Sequence, residues 1–432
     1  MQLITNGNIV LGDKIVKGEI KIVGNKIVEI GKRFRKNGKY IITDAENRYV
    51  LPGFVDVHTN GSAGFDLSSG TYNAGEKNFI HNKNEFRKGF ENALRFYLKT
   101  GTTKVLLSSI AAPLSQLHDN FSKVAEYKNL NSVLSKVLFG IYIEGSFIKD
   151  SNSRGAQNPK YFLKPSRKVI NQMIKSAGDL VRIINLPPEW GTDIIKIINE
   201  LNRNGIICCV GHSAATAEQI YSAAASGTIL ATHFLNGPSS ASFKPFSGGG
   251  VIEAVLKLSE MYAEIIPDGY HVDKAYVLDV VKKKGFDKVI AVTDNMFVTG
   301  IKGVDEFNYM GIQGKFSTNK EYIYVKERPS ALFGSVLTMD KAFSNLLNWF
   351  TKNESGVWNE NHPAMDFEEA VIAAVKMCST NPSNLLGKYS PQNKFGRIEE
   401  GYNADLIIVD IVEKSNHYIT KIKDIFLGGN RI

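Results

Sequence analysis

The feature that most constrains the fold is a rhythm in the middle of the chain. From about Phe54 to about Leu386, short apolar runs alternate with longer helical patterns such as EFRKGFENALRFYLKTG. That alternation marks repeated β-α units around a parallel sheet. Eight apolar runs occur in order: GFVDVH ending at His58, TKVLLSS near Ser109, VLFGIYIEG at Glu144 and VRIINLPPE at Glu189. GIICCVGHS then ends at His212, TILATHFLN at His233, AEIIPDG leads to His271, and KVIAVTDN reaches Asp294. Most end in a polar or ionisable residue, as a (β/α)8 barrel requires, because its site is assembled at the C-terminal ends of its strands. An open doubly wound sheet is the alternative. No Gly-rich nucleotide loop follows any of the runs to support it.

The two chain ends have a different texture. QLITNGNIV, EIKIVGNKIVEIG and KYIITDAENRYV at the start are short β-rich runs divided by turn pairs, and ADLIIVD and HYITKIKDIFLGGNRI at the end look the same. The fold predicted is therefore α/β: a TIM-like (β/α)8 barrel over 54–386, with a small β-sandwich domain formed from 1–53 and 387–432. The polar segment SSGTYNAGEKNFIHNKNEF, after the first barrel run, reads as a long loop bordering the site or an oligomer contact.

A formal charge of +9 raises the question of nucleic acid. Its long basic run, Lys282 to Lys284 followed by Gly285, is explained by cations at a capped helix C-terminus. The surplus acts instead as a field favouring an anionic small substrate. No apolar run approaches the roughly 20 residues of a membrane span, and MQLITNGNIVLGDK lacks a basic region followed by an apolar core. Cys208 and Cys209, two of three cysteines, are adjacent in an apolar run and read as reduced core residues. A cytoplasmic protein with no nucleic-acid or membrane partner is expected.

Glu144 poses a sharper problem, since a carboxylate directly follows the buried-type residues Ile141, Tyr142 and Ile143. An unpaired charge there is costly, so the residue is either solvated or opposite something positive. A barrel gathers its strand ends on one rim, and one carboxylate with two imidazoles suits a divalent metal. Glu144, His212 and His233 are the expected ligands. Asp294, at the end of the last strand, is placed to accept a proton from an attacking water and pass it to a leaving amine. His81, His118, His362 and His417 lack strand-end positions and are read as non-catalytic.

PGFVDVH (52–58), IEG (143–145), LPPE (186–189), GHSAAT (211–216), ATHFLN (231–236), DGYHV (268–272), VTDN (292–295) and ADL (404–406) follow in an order that resembles the N-acetylglucosamine-6-phosphate deacetylase family of the amidohydrolase superfamily. The resemblance runs over nearly the whole length. It implies a homodimer that hydrolyses the acetamido group of the phosphorylated amino sugar to glucosamine 6-phosphate and acetate. It makes Glu144, His212 and His233 metal ligands and Asp294 the acid-base residue, and it gives substrate contacts to His271, Asn236 and Gly237. Lys244 stands where the family has an arginine reaching the neighbouring subunit's phosphate, and Gln157 stands where it has a histidine touching the scissile carbonyl. Many relatives bind two metals through His-x-His; this chain has His58, Thr59 and Asn60, which fits one divalent ion, zinc first with iron or another ion as alternatives. His58 and Asn60 are then a weak or second site. Deacetylation of the galactosamine epimer, another amidohydrolase activity such as N-acyl-amino-acid deacylation, and an inactive barrel acting as a binding protein remain the alternatives.

Overall fold

The computed structural model describes residues 1–35, 39–80, 82–236, 249–388, 391–392 and 394–432. Gly237, Lys244 and His81 lie outside the described residues. At the centre is an eight-stranded parallel sheet whose strands pair in chain order. They are β1 (Phe54–Thr59), β2 (Thr102–Ser109), β3 (Leu138–Ile143), β4 (Val181–Asn185), β5 (Ile207–Val210), β6 (Thr228–Ala231), β7 (Tyr262–Ile265) and β8 (Val289–Ala291). β1 and β2 are buried at every position, as strands covered on both faces must be. Backbone bonds just past the strand ends join the last strand to the first: Asp294 N–H donates to His58 O at 2.8 Å and Asn60 N–H to Asn295 O at 2.9 Å.

The surrounding helices are amphipathic. Thr192–Arg203 buries Ile194, Ile197, Ile198 and Leu201, one stripe at helical spacing. Lys274–Lys284 ends at Gly285 with φ 78°, so the three-lysine run is a capped helix terminus as expected. Cys208, Cys209 and Cys378 are free and buried. No described helix is long and apolar enough to cross a membrane.

Both chain ends form one further eight-stranded sheet, in which Leu406–Val409 pair antiparallel with Tyr49–Pro52. The strand Gln2–Val10 forks, its first half pairing with Ile41–Asp44 and its second with Tyr49 and Val50. The sheet thereby encloses a core that includes Ile4, Ile9, Ile20, Leu406, Ile408 and Phe426. A buried ion pair ties this domain to the barrel: Lys104 on β2 lies 2.8 Å from Asp405, the acid of the ADL motif.

Two insertions stand above the barrel's C-terminal rim. Residues 61–80 form four short antiparallel strands where a loop was expected, and 306–332 form a second four-stranded meander the sequence reading did not anticipate. Both are held by aromatic rings: Phe297 stacks within 4.8 Å of Tyr72, 4.9 Å of Phe79 and 5.1 Å of Phe307, centroid to centroid. This packing orders the polar segment, because Tyr72 and Phe79 find an apolar partner outside their own stretch of sequence.

Candidate metal centre and substrate cavity

Glu144 leaves the end of β3 and is buried. The glycine after it is there for space, since a Cβ on Gly145 would fall 1.7 Å from Gln157 Oε1 and 2.5 Å from Ala111 N. His212 and His233 follow β5 and β6, and their Nε2 atoms approach Glu144 Oε1 at 2.9 and 3.3 Å. The two Nε2 atoms are only 3.1 Å apart. Each ring is oriented from behind by a main-chain carbonyl: His212 Nδ1 donates to Ser153 O at 2.7 Å and His233 Nδ1 to Asn236 O at 2.9 Å. A carbonyl oxygen only accepts, so each Nδ1 carries the proton and, in neutral rings, each Nε2 presents a lone pair. Two facing ring nitrogens beside a carboxylate call for positive charge, supplied by a proton on one Nε2 or by a metal ion between them. The three donors also lie within 4.8 Å of one another, and the set fits a divalent metal.

His58, at the end of β1, completes this geometry. Its Nδ1 donates to Glu264 Oε2 at 2.9 Å, leaving Nε2 buried without a partner among the described residues. That nitrogen lies 3.7 Å from Glu144 Oε2 and 3.5 Å from Asp294 Oδ1. Burial alone would raise the Glu144 carboxyl, but His212, His233 and His58 hold it well below the usual carboxylate range. Burial would lower the His58 imidazole, yet Glu264, Glu144 and Asp294 push it well up. The site thus draws in positive charge.

Asp294 is steered by Asn60, whose Nδ2 donates to its Oδ1 at 2.6 Å. His212, His233 and Asp294 all have left-handed backbones, at φ 51°, 27° and 48°. Such conformations are costly for non-glycine residues and persist where surrounding structure imposes them, commonly at functional sites.

These side chains open into a cavity of about 440 Å³ whose lining includes Asn60, Gln157, Asn236, His271, Tyr309 and Arg328. Gln157 is fixed by Ala111 N–H, which donates to its Oε1 at 2.8 Å, so its amide N–H faces Glu144 at 3.2 Å. His271 donates from Nδ1 to Asp268 at 2.6 Å, and its Nε2 is buried without a partner among the described residues. Sequence reasoning brought Glu144, His212, His233, His58, Asn60, Asp294, Gln157, Asn236 and His271 to one place, and the structure gathers all nine there. It missed Glu264, inside β7, and Arg328, on the second meander. Glu189 stands apart: its carboxylate accepts from Ser213 Oγ and from Ala214 N–H at 3.0 Å, bracing the turn after His212. His362 pairs with Asp279 at 2.7 Å, away from the cavity.

A parallel barrel with a histidine-carboxylate cluster on its C-terminal rim is the architecture of a metal-dependent hydrolase. Residues 49–431 match the amidohydrolase family, and the chain belongs to it. It is 29% identical over 397 residues to N-acetylglucosamine-6-phosphate deacetylase of Lysinibacillus sphaericus, covering 89% of this chain and 87% of that protein. It is 24% identical over 374 residues to N-acetylgalactosamine-6-phosphate deacetylase of Escherichia coli O157:H7, covering 85% of each. Among solved structures it resembles N-acetyl-D-glucosamine-6-phosphate deacetylase of Mycobacterium smegmatis, with a TM-score of 0.81, 21% identity and full coverage of both chains. A mutant of that enzyme has been solved in complex with N-acetyl-D-glucosamine-6-phosphate, and it matches at a TM-score of 0.80 with 21% identity over 100% of this chain and 98% of that one.

Proposed function

We propose that this chain is a metal-dependent deacetylase converting N-acetylglucosamine 6-phosphate to glucosamine 6-phosphate and acetate. The observation that carries the reading is the convergence of Glu144, His212 and His233, with lone pairs facing one another, beside Asp294 in one cavity. Similarity to curated deacetylases over most of the chain supports the substrate class. Glu144, His212 and His233 would hold the ion, zinc in the first instance, with His58 Nε2 as a further donor. When bound, such an ion supplies Lewis acidity for water and the amide carbonyl.

The chain's own groups do the rest. Asp294, held by Asn60, accepts a proton from the attacking water as its oxygen bonds to the acetamido carbon. The same carboxyl then protonates the nitrogen as the C–N bond breaks, so the products leave as amine and acetate. Gln157, whose N–H is turned toward the cluster beside Glu144, would donate to the carbonyl oxygen as charge builds there. His271 Nε2 and Asn236 offer polar contacts to the sugar. In this reading the barrel runs over 54–386, the small domain over 1–53 and 387–432, and the enzyme is a cytoplasmic homodimer in which Gly237 and Lys244 contact the phosphate. The galactosamine epimer is kept as a second substrate because one relative carries that name.

The test is acetate release from both N-acetylhexosamine 6-phosphates by wild type and Asp294→Asn. Wild type is expected to turn over the gluco epimer faster, and the variant to lose at least about a thousandfold in kcat while retaining its metal. Metal-replete wild type that releases no acetate from either sugar would overturn the proposal.

A further inference from the structure

Arg328 is the one permanently charged cation among the described residues lining the cavity. It sits on the second meander, half-buried, and its Nη2 donates to Gly155 O at 2.8 Å. Gly155 also lines the cavity, and Arg154 precedes it in the chain, close enough for its charge to act on Arg328. Burial and the Arg154 charge both press Arg328 below its ordinary range, with Glu327 offsetting them in part. Among the described residues neither arginine has a carboxylate within ion-pair distance. Their neighbours on the same meander do: Lys326 and Lys315 both reach Glu306, at 2.7 and 3.0 Å, and Lys320 reaches Asp305. The undescribed stretch 237–248 reads GPSSASFKPFSG and contains no acid that could serve.

Bringing like charges together at a half-buried opening without an acid between them costs free energy, which an anionic ligand would recover. Resting on the deacetylase reading, we propose that Arg328, assisted by Arg154, binds the substrate's phosphate monoester from within the same chain. A guanidinium grips two phosphate oxygens with parallel N–H bonds, whereas Lys244 offers a point charge without that fork. The pair is a determinant of specificity for the phosphorylated sugar, apart from the proton transfer at Asp294.

The test uses the metal-loaded enzyme and measures acetate release from N-acetylglucosamine with and without its phosphate, together with inhibition by inorganic phosphate. Arg328→Ala should lower the preference for the phosphorylated sugar at least tenfold, through KM rather than kcat, and raise the inhibition constant of inorganic phosphate by a similar factor. Arg328→Lys should fall between Arg328→Ala and wild type, and Arg154→Ala should give a smaller change in the same direction. If Arg328→Ala shifts neither the preference nor the phosphate inhibition by more than twofold while wild type deacetylates normally, the inference fails and the deacetylase reading stands. If wild type releases no acetate, both fail together.

Discussion

Glu264 shows how much of the site depends on a residue that touches no substrate. One oxygen, Oε2, accepts from His58 Nδ1 at 2.9 Å and from the His233 main-chain N–H at 3.0 Å, fixing two cluster histidines at once. Glu264→Gln keeps the shape but removes the charge that orients His58. It should weaken metal retention about 10- to 100-fold without unfolding the chain, as measured by competition against a chelator and by circular dichroism. This residue was not legible in the sequence, and the reason is positional. Glu144, His212, His233 and Asp294 follow the last apolar residue of their strands, where side chains meet at the rim. Glu264 lies inside the run YAEI and looks like a polar interruption of a buried strand. Arg328 escaped for another reason, since its importance comes from a meander that periodicity alone did not reveal.

At the level of elements, the eight strands and their helices were readable because each repeats one local pattern, an apolar run followed by an amphipathic stripe. The insertions were harder. Their strands are two to five residues long, too short for alternation to stand out, and their stability comes from rings that meet only in three dimensions. EFNYMGIQGKF did carry a hairpin signal, because Met310 and Gly311 both take left-handed backbones, at φ 50° and 82°, between two short β runs. Phe297 is the fully buried ring that both insertions share. Phe297→Ala should cost about 3–5 kcal/mol, read from urea unfolding. Since Met296, Tyr309 and Phe333 around it line the cavity, the same variant should also raise KM more than it lowers kcat.

Over the whole molecule, the two-domain plan was legible because both chain ends share a hairpin texture. The Asp405–Lys104 tie between the domains was not, as nothing local pairs residues three hundred positions apart. Stability should also carry a signature of a carboxyl group buried within the first insertion. Asp66 lies fully buried, and desolvation pushes its carboxyl up to about 7, despite the Ser69 N–H donating to it at 2.7 Å. Between its ordinary value of 3.8 and about 7, the folded state holds a proton that the unfolded state has released. Stability is therefore present at low pH and lost as pH rises through that window, by about 1.4 kcal/mol for each pH interval of one that is crossed. Asp66→Asn cannot titrate, so its melting temperature should fall less than that of wild type between pH 5 and 8; equal slopes would contradict the assignment. The junction of first and last strands has a consequence of its own. The amide of Asp294 is a stitch in the barrel's seam, and its carboxylate is the proposed proton carrier. Any loosening of that seam would misalign the chemistry before the rest of the wall gave way, and inactivation would then come ahead of collapse.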